Sequence, residues 1–398
     1  MNRQNNNNES NNHHKQNEHH TSPHRKKVEF SIDKNDKNIP VARYTKKQDK
    51  KNKKKRGKVF KFFVTLGIII ISLLVILAVT LGVLLIAGKN SMVDNNKDVA
   101  AQIQVPNNVE TEDDYIIYND HKYKYNNKVT TILFAGIDKT SDQHIDGVFG
   151  TAGQADSIFV MALNTETGKY KLMSISRDSM VDVNMCDSLG NFTGTKRMQI
   201  CLAHAYGDGN ETSNENLKRS VSRLFFGIPV NAYMSVDLDV IPILNNAVGG
   251  VNVTVIEDLT KYDPALVKGA NITLTGEQAV TYVRRRDVTG DENQNNLRME
   301  RQKSYLDSFI SQTITLTKKD PMTPINMYNS ISEYTRTDID MSKITYLSSV
   351  FLTNGFSSDD NFIKIPGKTV MGKEYAEYYV DTDEFFKIIL DTYYTKID

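Results

Sequence analysis

VTTILFAGI (Val129–Ile137), SIFVMAL (157–163) and KYKLMSIS (169–176) decide the fold of this 398-residue chain. The first two are short apolar runs rich in β-branched residues, and the third alternates apolar with polar positions. Both patterns predict strands, the first kind buried on both faces. Working outward, helical periodicity predicts helices over 214–225 and 238–248, the latter closed by Gly249-Gly250, with strands over 232–236 and 251–256. Further helices are expected at Gly276–Arg284, at 297–316 and from Thr382 onward, with β-like stretches at 362–365 and 375–380. Strands alternating with helices in this way predict an α/β domain whose sheet is covered on both faces.

The N-terminal part has a different character. Residues 1–61 carry a net charge of +12 and the remainder −11, a split that points to two environments. Between them, residues 62–87 hold no charge over 26 positions. At about 1.5 Å per residue that run exceeds the roughly 30 Å of a bilayer core. It is far longer than the apolar part of a cleaved signal peptide and begins late, so it reads as an uncleaved anchor. Lys53-Lys54-Lys55-Arg56 lie just before it, and the positive-inside rule then puts the N-terminus in the cytosol and 88–398 outside. The expected organisation is a disordered basic cytoplasmic tail over 1–58, one transmembrane helix over 59–88, an acidic linker over 89–125 and a catalytic domain over 126–398. His13, His14, His19 and His20 read as part of a solvated tail. No helix-turn-helix pattern occurs there, so no nucleic-acid partner is expected, and the basic stretch is suited to lipid headgroups.

The chemistry-bearing residues cluster in the external part. Asp138 ends the strand TILFAGI, Asp156 opens SIFVMAL, and Arg177-Asp178 follow LMSIS. Ligands of α/β sheets bind beyond the carboxyl ends of strands, where Asp138 and Arg177 fall. Arg284-Arg285-Arg286 close one helix, and Arg298, Arg301 and Gln302 share the next. Several guanidinium groups together hold a pyrophosphate, and two carboxylates suit Mg²⁺ completed by phosphate oxygens. The competing reading is a set of surface salt bridges to Asp287, Asp291, Glu292 and Glu300. Cys186 and Cys201 are the only cysteines; a disulfide closing a loop between them is one reading, and two separate buried thiols the other.

TILFAGID, ADSIFVMAL, LMSISRD, HAYGDG, FFGIPVNAYMSVD, NAVGGVNV, LTGEQAVTYVRRRD and RMERQ occur in that order. Together they resemble the LytR-CpsA-Psr family of cell-wall glycopolymer ligases, over about 128–310. The resemblance implies an α-β-α sandwich with a central mixed sheet and an apolar pocket for a polyprenyl chain. It also implies transfer of an anionic glycopolymer, such as wall teichoic acid or capsular polysaccharide, from undecaprenyl pyrophosphate to peptidoglycan N-acetylmuramic acid through a phosphodiester. Carried over by motif, Asp138 and Asp156 resemble Mg²⁺ (or Mn²⁺) ligands, and Arg177, Arg284, Arg286 and Arg298 the catalytic, pyrophosphate-binding arginines. Gln302, and less directly Asp178 and Arg301, join them on the substrate. Arg285 is expected to point away. Two departures stand out. Gln154 occupies a position where many members carry Arg, and the loop between the two aspartates is long, with Gly147, Gly150 and Gly153. The alternatives are a polyprenyl-pyrophosphate hydrolase and a non-catalytic polyprenyl-lipid-binding protein.

Overall fold

A computed structural model describes residues 48–93, 105–106, 109–112, 115–138, 152–187, 189–237, 239–285, 292–320, 322–355 and 357–397. The expected disordered tail up to residue 47, most of the loop between the aspartates, and Arg286 lie outside the described residues. The apolar run lies in α1 (Gln48–Met92), whose stretch Val64–Met92 is long and apolar enough to cross a membrane. Then follow β1 (Glu110–Glu112), β2 (Tyr115–Tyr118), β3 (His121–Tyr125), β4 (Val129–Ile137), β5 (Ala155–Asn164), β6 (Lys169–Ile175), β7 (Met180–Cys186) and β8 (Phe192–Gln199). Next come α2 (Leu202–Ala205), α3 (Glu211–Leu224), β9 (Ala232–Asp237), α4 (Val240–Ala247), β10 (Asn252–Thr254), β11 (Asn271–Thr273), α5 (Gly276–Arg284), α6 (Glu292–Lys319) and α7 (Thr323–Ile331). The chain closes with β12 (Thr335–Thr337), α8 (Met341–Asn354), β13 (Ser357–Lys364), β14 (Gly367–Met371), β15 (Ala376–Val380), α9 (Thr382–Tyr393) and β16 (Tyr394–Lys396).

The central sheet is mixed, in the order β12-β9-β4-β5-β6-β13. β9 runs parallel to β4 and β13 parallel to β6, while β5 is antiparallel to both β4 and β6. On one face Leu133, Ala135, Ile137, Val160 and Ile175 share a core with Leu217, Val221 and Phe225 beside α3 and Phe385, Phe386 and Ile389 of α9. Phe225 is fully buried, and its loss to Ala is expected to cost about 3–5 kcal/mol. On the other face Ile132 and Ala232 meet Met92 and Val93, with Phe134, Met161, Tyr346 and Leu347 packed around them. The sheet is therefore apolar on both sides, which is why β4 shows no strict alternation.

A second apolar cluster joins α4, α5, α6, β10 and β11 through Val251, Val253, Leu274, Ala279 and Tyr282. Gly249 and Gly250, both at positive φ (80° and 90°), turn the chain out of α4, and Gly250 donates to the Asn245 carbonyl at 2.9 Å. α5 starts at a capping box between Thr275 and Gln278 and buries Gly276, Ala279, Tyr282 and Val283 along one stripe.

The expected linker over 89–125 is corrected in its second half. β1, β2 and β3 pair with one another and with β16 in a four-stranded sheet, and Ile116 is buried in the main core. The hairpin turn is Asn119-Asp120, both at positive φ (50° and 61°), a two-residue turn that suits the twist of the flanking strands. The disulfide expectation is also corrected: Cys186 and Cys201 are free. In the β7–β8 hairpin Cys186 pairs with Phe192 near the turn, whereas Cys201 follows Gln199, the partner of Met180 at the opposite end. Six residues of strand at ~3.3 Å each put them near 20 Å apart, far beyond the ~7 Å a disulfide allows.

Candidate functional site

The ends of three strands bring the acidic and basic residues together. β4 delivers Asp138, whose backbone N–H donates to the Gln154 carbonyl at 2.8 Å. On β5 the ladder slips between Gly136–Ser157 and Ile137–Ala155, so Asp156 sits unpaired in a bulge. Bulges of this kind aim a side chain where a regular strand would not. β6 ends two residues before Arg177, whose carbonyl accepts from the Cys201 N–H at 3.1 Å.

Arg177 is held on three sides. One terminal nitrogen pairs with Asp156, the other donates to Gln154 Oε1 at 2.5 Å, and Nε lies 3.8 Å from Asp178. Asp178 in turn accepts from Gln199 Nε2 at 2.8 Å, and its carbonyl accepts from the Tyr378 N–H at 2.8 Å. The Cys201 thiol completes the surround, 3.7 Å from Nη2 of Arg177. Burial pushes that thiol up to about 11, so it stays protonated at neutral pH. Burial alone would lower the Arg177 pKa, but the anionic neighbours outweigh it and hold the guanidinium charged.

α5 and α6 close the other side. Arg284, the last residue of α5, reaches Asp138 at 3.8 Å. Arg298, Met299 and Gln302 of α6 line a shallow open cleft together with Asp156, Phe159, Ser174, Ser176 and Arg177. Gln302 also donates to the Val283 carbonyl at 3.2 Å, tying α6 to the end of α5. Arg177 and Arg284 therefore pair with Asp138, Asp156 and Asp178 themselves; Asp287 and Asp291 lie outside the described residues.

Arg301 does not belong to the cleft, which corrects its reading as a substrate contact. It is fully buried, pairs with Glu257 at 3.0 Å, and donates to the carbonyls of Tyr282, at 2.6 Å, and of Arg285. Burial is the main influence on its pKa and lowers it, with Glu257 opposing. Arg285 turns outward over the Tyr262 ring at 5.4 Å. Gln199 and Cys201 were not foreseen as neighbours of the site; Gln199 lies in a polar strand and no local signal marks it.

Asp156 is the electrostatic centre of the cluster. Burial raises its pKa and Asp138 adds to the rise, while Arg177, Arg298 and Arg284 oppose it. Among the described residues no three His, Cys, Asp or Glu side chains converge into a self-sufficient metal cage. The donor set is two carboxylates beside arginine side chains. It fits Mg²⁺, which takes one or two carboxylates and fills its shell from phosphate and water.

Fold and site together describe an α/β domain that gathers arginines and aspartates at the ends of its central strands. The sequence profile of the LytR_cpsA_psr family matches residues 83–391, and the chain belongs to that family. A polyisoprenyl-teichoic acid–peptidoglycan teichoic acid transferase TagU of Enterococcus faecalis is 28% identical over 228 residues, 55% of this chain and 65% of that protein. The corresponding TagV of Bacillus subtilis is 28% identical over 268 residues, 64% of this chain and 61% of its own length. The matches thus span less than two thirds of these curated relatives. A crystal structure of a Streptococcus agalactiae protein shares the fold, with a TM-score of 0.52 at 20% identity over 67% of this chain and 90% of that one.

Proposed function

We propose that the chain transfers an anionic glycopolymer of the wall teichoic acid or capsular type from an undecaprenyl-pyrophosphate carrier to peptidoglycan. One observation carries the proposal: Asp156, Arg177 and Arg298 line a cleft together with apolar Phe159 and Met299, and Asp138 and Arg284 pair beside them. A lipid pyrophosphate has both of the chemistries that such a cleft accepts. The names of the E. faecalis and B. subtilis relatives support the same reading. In the proposed topology the stretch Val64–Met92 spans the membrane with the N-terminus in the cytosol and the domain outside.

The donor's pyrophosphate exchanges for the carboxylates as partner of Arg177 and Arg284, with Arg298 and Gln302 adjoining. Arg177 needs little reorganisation, because Gln154 and Asp178 already fix its plane. Asp138 and Asp156 would hold Mg²⁺ or Mn²⁺, which supplies further neutralisation of phosphate charge. The muramic hydroxyl attacks the glycan-side phosphorus, the bond from that phosphorus to the bridging oxygen breaks, and polyprenyl phosphate leaves. The hydroxyl proton passes to this departing monoester, whose second pKa is about 6, so no side chain need act as base. Positioning and charge neutralisation are what phosphoryl transfer chiefly requires.

The test is to incubate the full chain in detergent with a labelled polyprenyl-pyrophosphate oligosaccharide, nascent peptidoglycan and Mg²⁺. Label on muramic acid, lost in Arg284→Ala, is the expected result. Free phospho-oligosaccharide without attachment would make the protein a hydrolase, and intact lipid held without turnover a binding protein.

A further inference from the structure

The β14–β15 hairpin carries an exposed face that the proposed donor site does not use. In its register Lys368 pairs with Tyr379 and Val370 with Glu377, so these four side chains share one side, and Tyr375 lies in the bend that leads into β15. Tyr375 and Tyr379 are 43% and 39% exposed and Val370 42%, although Tyr378, on the opposite side, is buried and donates to the Ile365 carbonyl at 2.7 Å. Soluble domains leave aromatic and aliphatic side chains together at the surface chiefly where something docks. The Tyr379 hydroxyl donates to Glu377 at 2.6 Å, which fixes the ring, and Arg197 of β8 acts on Tyr379 electrostatically.

The hairpin is joined directly to the site. The Tyr378 N–H donates to the Asp178 carbonyl, and the Gln199 side chain bridges the Asp178 carboxylate and the Ala376 carbonyl, both at 2.8 Å. Ser179 and Tyr378 form a parallel bridge beside them. The hairpin thus adjoins Asp178, the neighbour of Arg177.

We infer that this face binds the acceptor, a glycan strand of peptidoglycan, by stacking sugar rings on Tyr375 and Tyr379. The inference rests on the ligase reading and names its second substrate surface. A sugar offers apolar ring faces and hydroxyls, matched here by two rings with Glu377 between them on the strand. The stem peptides of peptidoglycan also carry carboxylates, matched by Lys368 and Arg197. A bilayer is the poorer occupant, because Glu377 would meet anionic headgroups.

The test uses the full chain in nanodiscs and purified sacculi stripped of attached polymer, with retention on sacculi and the acceptor KM as readouts. Replacing Tyr375 and Tyr379 together by Ala is expected to weaken retention about tenfold or more. It should raise the acceptor KM with little change in kcat, whereas replacement of both by Phe keeps the rings and the binding. Phe192→Ala, an exposed aromatic at the β7–β8 turn, should bind as wild type and controls for general stickiness. Equal retention by the double Ala variant would overturn the inference and leave the ligase reading standing. A wild-type chain that attaches polymer but shows no retention would do the same. A failure of the ligase reading appears separately, as absence of label on muramic acid. An environment-sensitive dye on Tyr379→Cys, in a Cys186→Ser background, that reports burial in a phosphatidylglycerol nanodisc without sacculi would assign the face to the bilayer and overturn the inference.

Discussion

Arg301 Nε lies 3.0 Å from the Glu257 carboxylate, and the arginine side chain is wholly buried. The pair fastens α6 to the end of α5, since the same guanidinium caps the Tyr282 and Arg285 carbonyls. Arg301→Met would leave the partly buried Glu257 carboxylate without its charge partner and two carbonyls without a donor. The expected cost is about 3–5 kcal/mol, measured by denaturant unfolding. Arg301→Met combined with Glu257→Leu should regain most of it. A single variant costing under about 1 kcal/mol would show the pair to be dispensable.

Gln154 should matter through Arg177 and not beside it. Gln154→Ala frees one edge of the guanidinium and is expected to slow transfer about tenfold, while Arg177→Ala should lose about 10²–10³. Because the glutamine acts on the arginine, the double variant should be no slower than Arg177→Ala alone. Additive losses in single-turnover transfer would give Gln154 a contact of its own.

Asp156 sits in surroundings that favour its protonated form. A folded-state pKa above the unfolded value of about 4 means the folded chain binds this proton more tightly. Stability at this position therefore falls as pH rises from the unfolded value through the raised one, and the cost persists at neutral pH. Asp156→Asn should melt higher than wild type at pH 7, with the advantage gone near pH 3, and should not transfer. A divalent cation bound beside Asp138 would reverse the sign. Mg²⁺ is then expected to raise the melting temperature of wild type at pH 7 and leave Asp156→Asn unmoved. Equal response of both proteins would remove Asp156 from the cation's shell.

Thiol titration separates the two cysteines. Without reductant, the unfolded chain should yield two thiols, and a yield of none would restore the disulfide. In the folded chain Cys201, buried and with its pKa near 11, should react far more slowly than the partly exposed Cys186.

What was legible in the sequence had a local cause. β4 lies where its apolar run was read, and α5 runs from its capping box to Arg284 as read. The β2–β3 hairpin escaped notice because HKYKY alternates in lysines and tyrosines, and its Asn119-Asp120 turn lacks glycine. β7 and β8 escaped for a similar reason, β8 being mostly exposed and polar. The division of labour between Arg298 and Arg301 was beyond any local reading. They sit three apart on one helix, and what separates them is Glu257, distant in sequence, which claims one and leaves the other to the cleft. The cysteines misled for the converse reason: nearness in sequence is undone by the hairpin register between them.

Tyr125 of β3 pairs with Tyr394 of β16, so a sheet begun soon after the apolar helix is closed by a strand far along the chain. During synthesis β3 keeps one edge bare until β16 has been made. That edge is a template for pairing with other chains, and contacts so distant in sequence form slowly. Maturation of the domain is thus gated by arrival of β16, and a chain cut short before Tyr394 would keep its site residues but stay open at its seam.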